Sequence, residues 1–415
     1  MFLYNLVIHL YGLVINLASL NKLKAKQWVN GRKNWRENLS KKISALNLAP
    51  VLWVHCSSYG EFEQGRPLIE SIKKKHPGYK IVLSFFSPSG YEVFKDWSGA
   101  DVICYLPLDT KSNASDFINI VKPKATLFIK YEFWLNFLFE LKKQNIPTYL
   151  VSAVFKPHHP FFKWYGGIFR RSLTSFNKLF IQDEASGELL KQINITAYEV
   201  CGDTRFDRVI EVKENFIEIP LIKDFCGNAK IIVAGSTWAG DDELLVDSFK
   251  ELAMQDLKLI IVPHDVEEKN IIKLTNLLIK NDLAFSLFSE QKIKSNTQVL
   301  VVDTIGLLSK IYNYASVAYI GGGLNGGIHN CLEPAVYFKP VIFYGNDYHK
   351  YNEATELIEL KAAKNISSVS QLKLELKNFL TDKKTVGEIE NSLKLYFKSK
   401  SGTTNKVLDI LDFKK

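Results

Sequence analysis

Cysteine is scarce in this chain of 415 residues: Cys56, Cys104, Cys201, Cys226 and Cys331 are scattered, odd in number, and nowhere form C-x-x-C. That pattern argues against a disulfide framework and a zinc site, and it fits a reducing compartment. Missing too are zinc-finger spacing, an RNP-type aromatic strand and any long basic run outside the N-terminal region, so nucleic acid is not the expected partner. The net charge of +9 then favours phosphates or acidic lipids. No repeat or low-complexity tract interrupts the chain, whose 47% hydrophobic and 23% charged residues describe a folded protein, large enough for two domains.

Residues 1–20 contain no Asp, Glu, Lys or Arg, and residues 21–42 hold eight Lys or Arg against one acid, Glu37. About 20 apolar residues suffice to cross a bilayer as a helix. A cleaved signal peptide carries its positive charge before the apolar stretch, and here the order is reversed. We therefore expect a membrane-anchor helix over residues 1–21, spanning or lying in the interface, with the body of the protein on the cytoplasmic side.

From Val51 onward, short β-branched and aromatic runs alternate with segments of helical period, the pattern of parallel βαβ units. Strands are expected at 51–58, 80–86, 100–107, 125–132, 147–155 and 178–182. After a charged stretch containing Pro220, further strands are expected at 230–237, 257–265, 297–304, 316–323 and 339–346. The fold class expected is α/β, two Rossmann-like, doubly wound parallel-sheet domains facing a central cleft: residues 22–207, a linker at 208–229, and residues 230–415. In such sheets ligands bind at the carboxyl ends of strands.

Several motifs fall at those strand ends. In His55-Cys56-Ser57-Ser58-Tyr59-Gly60-Glu61, a strand runs into a helix, and Glu61 can serve as a general base or as the acidic half of a Ser58-x-x-Glu61 capping box. Gly235-Ser236-Thr237 follows a strand and precedes a helix, where backbone N–H groups and hydroxyls converge on an anion. Gly321-Gly322-Gly323 ends another strand and permits close approach of the backbone to a nucleotide. Asn330-x-x-Glu333 repeats the capping-box spacing, with binding and capping roles both open.

In order and spacing these motifs, together with Ser87-Pro88-Ser89-Gly90, Tyr105-Leu106-Pro107-Leu108-Asp109, Tyr131-Glu132-Phe133-Trp134-Leu135-Asn136 and Gly202-Asp203-Thr204-Arg205-Phe206-Asp207, resemble the 3-deoxy-D-manno-octulosonic acid (Kdo) transferases, GT-B glycosyltransferases of lipopolysaccharide synthesis. Leu135 and Cys331 stand where the family has proline, and Pro263-His264-Asp265 lacks the family's arginines. The resemblance implies transfer of Kdo, with inversion, from CMP-Kdo to a lipid A precursor, lipid IVA, at the cytoplasmic face of the inner membrane. It implies Glu61 as catalytic base and Ser58, Gly60 and Arg66 on the acceptor side. Arg205, Ser236, Thr237, Gly321, Gly322, Gly323, Asn330, Glu333 and Asn352 are implied for the donor. No cofactor or metal is expected, the second half showing no D-x-D pair beside a strand. A GT-B enzyme using a UDP-sugar on another lipid, and a non-catalytic membrane-bound module for nucleotide or anionic lipid, are the alternatives.

Overall fold

The computed structural model describes residues 1–411, which divide into two units: residues 1–208 with the C-terminal segment from Gly402, and residues 209–401. In unit 1 the strands are β1 (Val51–Cys56), β2 (Lys80–Phe85), β3 (Val102–Tyr105), β4 (Ala125–Ile129), β5 (Thr148–Ala153), β6 (Lys178–Ile181) and β7 (Tyr198–Val200). Unit 2 has β8 (Lys230–Thr237), β9 (Leu257–Pro263), β10 (Phe285–Leu287), β11 (Val299–Val301), β12 (Val317–Ile320), β13 (Val341–Tyr344) and β14 (Ala363–Ile366). Each unit is one parallel sheet, ordered β3-β2-β1-β4-β5-β6-β7 in the first and β10-β11-β9-β8-β12-β13-β14 in the second.

These strands are buried on both faces because helices cover both sides, which is why VLWVHC reads as a continuous apolar run. Alternation still sorts the side chains: Trp53 packs with Phe117, Phe128 and Phe137 on one face, and Leu52 with Phe62, Ile69 and Phe85 on the other. The strand order switches direction between β1 and β4 in the first sheet and between β8 and β12 in the second, whose far edge also turns back at β10-β11. At such a reversal the following connections diverge to opposite faces, opening a crevice beyond the strand ends.

The expected boundaries change in three places. Residues 208–229, expected as a linker, are mostly helical, in Thr204–Glu214 and Pro220–Cys226, and lie in unit 2 from Val209 on. The domain expected to run over 230–415 ends at Ser401, because the helix Thr403–Ile410 returns to unit 1. Val407, Leu408 and Leu411 bury there against the core around Phe62, and Asp207 accepts the Gly402 and Thr404 N–H groups. At the N-terminus, an apolar helix α1 (Phe2–Ala18) is present, then bends by 120° into α2 (Leu23–Asn30). Among the described residues no single helix is long and apolar enough to cross a membrane.

Candidate active site

At the reversal point of unit 1, β1 hands over to the helix Tyr59–Lys75, which carries Glu61 in its first turn. Ser58 is the N-cap residue, yet its hydroxyl caps no backbone N–H and instead donates to the Glu61 carboxylate. The capping-box reading is thereby replaced by a hydroxyl–carboxylate pair, half-buried at the strand end. Gly60 is exposed, and a side chain there would meet almost nothing.

The neighbouring strand of the reversal, β4, leads into a second carboxylate, Glu132, to which its sequence motif assigns no role. Glu132 is 8% exposed, and its Oε2 receives the Trp134 Nε1–H at 2.6 Å and lies 3.2 Å from His55 Nε2. His55 is fully buried, with Nδ1 2.9 Å from Ser84 Oγ, while Trp53 Nε1–H donates to that same oxygen at 2.8 Å. Nδ1 also lies 3.1 Å from the Ser84 carbonyl oxygen and Nε2 lies 3.0 Å from Trp134 Nε1, so both ring nitrogens of His55 are engaged. Trp53, Ser84, His55 and Trp134 thus form one hydrogen-bonded network that ends on a single carboxylate oxygen of Glu132. Burial pushes the Cys56 thiol well up, and Glu61 and Glu132 both push it the same way, so the two carboxylates flank one strand end.

Two cations expected in the site are each ion-paired with a neighbouring acid of unit 1. Arg66, expected on the acceptor side, pairs with Glu70 at 2.8 Å one helical turn on and lies over the Trp97 ring. Arg205, expected at the donor, belongs to unit 1 and ion-pairs with Asp203 at 2.7 Å. Burial pushes the Asp203 carboxyl up, but Arg205 beside it wins and holds it below the usual range.

Unit 2 gathers most of the expected donor residues at its own reversal point. Ser236 takes a left-handed conformation, φ 54°, where β8 breaks register with β9, a strained state that non-glycine residues keep mainly at functional turns. Thr237 follows, 2% exposed, its carbonyl accepting the His264 N–H. The glycines of the turn after β12 are sterically required. A Cβ on Gly321 would sit 2.4 Å from the Ser236 carbonyl oxygen, and one on Gly323 would collide with the Tyr344 carbonyl. Gly322 has φ 93°. The His329 N–H bonds Gly321 O, Asn330 Nδ2 donates to Glu333 Oε1 at 3.2 Å, and Tyr351, next to Asn352, reaches the Gly327 backbone. Asn330 and Glu333 are therefore bonded to each other immediately after His329.

Two features here escaped the sequence reading. Asp241, fully buried in the first turn of the helix Ala239–Leu252, accepts the Trp238 and Gly322 N–H groups at 3.0 Å each and the Tyr319 hydroxyl at 2.8 Å, stitching the β8 turn to the glycine turn. Trp238, His264 and His329 stack in sequence, with centroids 4.7 and 4.5 Å apart. Burial, then the neighbouring His264, pushes His329 down to about 4, so it is neutral near pH 7. Only the fold brings those three rings together; their separation along the chain carries no local pattern.

The sequence model of the family described as 3-Deoxy-D-manno-octulosonic-acid transferase (kdotransferase) matches residues 33–208. A 3-deoxy-D-manno-octulosonic acid transferase of Aquifex aeolicus is 30% identical over 357 residues, covering 85% of this chain and 92% of that protein. The chain belongs to the Kdo transferase family. A Haemophilus influenzae Kdo transferase is 27% identical over 379 residues, 87% of this chain and 86% of its own length. A bifunctional glycosyltransferase/methyltransferase of Fusobacterium nucleatum is 29% identical over 385 residues, 89% of this chain, which spans 58% of that longer protein.

Among solved structures, the UDP-GlcNAc 2-epimerase of Neisseria meningitidis bound to UDP-GlcNAc superposes with TM-score 0.58 at 15% identity, covering 86% of this chain and all of that one. Acinetobacter baumannii MurG gives 0.54 at 12% identity over 87% and 98%. At such identities the likeness speaks for the fold alone, the GT-B class of two parallel-sheet domains. Within the Kdo transferase family, Glu61 and Glu132 offer proton acceptors, and the glycine turn of unit 2 permits close approach of a ligand to the backbone.

Proposed function

We propose that this Kdo transferase moves Kdo from CMP-Kdo to a hydroxyl of a lipid A precursor, lipid IVA, at the cytoplasmic face of the inner membrane. The acceptor oxygen attacks the anomeric carbon as the bond from that carbon to the CMP phosphate oxygen breaks. CMP leaves with the electron pair, the configuration inverts, and the hydroxyl proton passes to Glu61. The turns at Ser236 and Gly321–Gly323, shaped for close approach of the backbone, receive the nucleotide phosphate, and the reading invokes no metal. What carries it is the placement of the Ser58-bonded Glu61 at the reversal point of the acceptor-side sheet in a chain of this family. The outward apolar side of α1, with Phe2 and Leu3 more than two-thirds exposed, supports the membrane location.

The test incubates the full chain with lipid IVA and either CMP-Kdo or UDP-sugars and measures released nucleotide. CMP release dependent on lipid IVA supports the reading, and turnover of a UDP-sugar alone overturns it. Loss of a general base costs on the order of 10²–10⁴ in rate, so Glu61→Gln should abolish transfer while still binding CMP. Transfer within threefold of the unaltered protein by Glu61→Gln would remove the proposed base.

A further inference from the structure

The residues of α1 that face the protein are not the ones an anchor needs. Phe2, Leu3, Leu6, Leu10, Leu13 and Leu17 are all exposed, whereas Tyr4, Asn5, Ile8 and Gly12 turn inward along one stripe. Two of those inward residues are polar, and both end on the segment that carries Glu132. Tyr4 O–H donates to Asp109 Oδ2 at 2.5 Å and accepts the Leu135 N–H at 3.4 Å, while Asn5 Oδ1 accepts from Asn136 Nδ2 at 2.9 Å. Asp109 in turn accepts the Asn136 and Phe137 N–H groups at 3.1 Å each.

A second contact reaches the same segment through rings. Tyr11 of α1 and Trp28 of α2 lie against Phe86 at 6.1 and 5.7 Å, and Phe86 lies against Trp134 at 4.4 Å. Trp134 is the residue whose indole N–H holds Glu132 Oε2. The turn over residues 132–136 is thus gripped from one end by Tyr4 and Asn5 and from the other by the Tyr11–Trp28–Phe86 group. A helix serving only to attach the protein to lipid would need neither grip.

We propose that α1 is a working part of the acceptor site, with Tyr4 and Asn5 as positioning residues that fix the 132–136 turn, so that engagement of lipid by α1 is coupled to capture of the acceptor. The proposal rests on the functional reading above and adds to it an acceptor-side role for Glu132. It makes opposite demands on two properties of the same variants. Tyr4→Phe and Asn5→Leu leave the outward face intact and make the helix more apolar, so binding to lipid is kept or strengthened. Each removes a hydrogen bond to the turn, so transfer falls.

The experiment uses the full chain on vesicles containing anionic phospholipid and lipid IVA, with CMP-Kdo as donor, and reads vesicle co-sedimentation beside steady-state kinetics. For Tyr4→Phe and Asn5→Leu the expected result is unchanged sedimentation, an unchanged KM for CMP-Kdo, and a ~3- to 10-fold loss of kcat/KM for the lipid acceptor, the size of one lost hydrogen bond per variant. Asn5→Asp keeps the oxygen that accepts from Asn136 and should restore most of that loss. Equal acceptor kinetics for Asn5→Leu, Asn5→Asp and the unaltered protein would overturn the proposal, as would losses that simply track sedimentation. Should Tyr4→Phe not fold, the two Asn5 variants decide alone. A wild-type chain that releases no CMP with lipid IVA would instead sink the functional reading, and that outcome is separate from either result on Tyr4 and Asn5.

Discussion

Asp241 is the side chain on which the geometry of the donor-side turn depends most directly. Its three donors, Trp238 N–H, Gly322 N–H and Tyr319 O–H, are held by a carboxylate with no solvent exposure. Asp241→Ala leaves all three without an acceptor, at about 1–3 kcal/mol each. A water entering the vacated space would satisfy two or three of them, so the net loss should be ~3–5 kcal/mol rather than the full sum. Asp241→Asn behaves differently. Its carbonyl oxygen can accept both backbone N–H groups, as Oδ2 does now, and its NH₂ then faces Tyr319, whose hydroxyl can rotate from donor to acceptor. The asparagine variant should therefore lose only about 1 kcal/mol. Urea unfolding of the two variants beside the parent measures the difference, and CMP titration measures its functional side. We expect Asp241→Ala to bind CMP at least about tenfold more weakly, because Gly322 is freed, and Asp241→Asn to bind within about threefold. An alanine variant within 1 kcal/mol of the parent, with unaltered CMP affinity, would refute the claim that this carboxylate organises the turn.

Three further outcomes are expected. Gly321→Ala places a methyl group 2.4 Å from the Ser236 carbonyl oxygen, so the β8 turn must shift, and CMP affinity should fall at least tenfold while unit 1 melts unchanged. Burial pushes the Asp242 carboxyl up to about 7, with Asp241 and Glu243 pushing the same way. The folded protein then holds a proton that the unfolded chain has lost, so Asp242's contribution is full below about pH 4 and is lost as pH rises to about 7. Asp242→Asn abolishes that dependence, and its stability relative to the parent should improve by on the order of 2–4 kcal/mol between pH 4 and pH 8; a difference flat in pH would be contrary evidence. Deleting residues 402–415 strips Val407, Leu408 and Leu411 from the core of unit 1 at ~1.5–3 kcal/mol each, so unit 1 should unfold at markedly lower urea although the deletion lies at the far end of the chain.

The longer strands were legible because burial on both faces leaves a continuous apolar run, and all eleven expected strands are present in the two sheets. The three that were not foreseen, β7, β10 and β14, are short edge strands, YEV, FSL and AKNI, each interrupted by a polar residue, whereas the equally short β11, VLV, is wholly apolar. The return of the C-terminal helix to unit 1 left no local mark either. Val407 and Leu408 have the same helical spacing whichever core they enter, and the anchoring bonds from Asp207 are nearly 200 residues away in sequence.

The same limit explains which candidate site residues stand out in the sequence. Ser236, Gly321–Gly323 and Glu61 announced themselves because a strand end followed by a turn has a composition of its own, and the structure places each beside its sheet's reversal point. For Arg66 and Arg205 the sequence could not show the neighbour in space, which sets a cation's availability: Glu70 pairs with the one and Asp203 with the other. Such pairs need only one acid within reach, and surface ion pairs are common enough that charge alone marks few sites. His55 escaped for the opposite reason. In sequence it is one polar letter in an apolar strand, and it gains meaning only when β2 supplies Ser84 and the segment after β4 supplies Glu132 and Trp134. A buried histidine with both ring nitrogens engaged orients what it touches, and here that is the carboxylate at the reversal point. His55→Phe should therefore leave the β1 core packed but release Glu132, weakening use of the acceptor more than binding of CMP; if it weakens CMP binding equally, the hydrogen-bonded network from Trp53 to Glu132 serves folding alone.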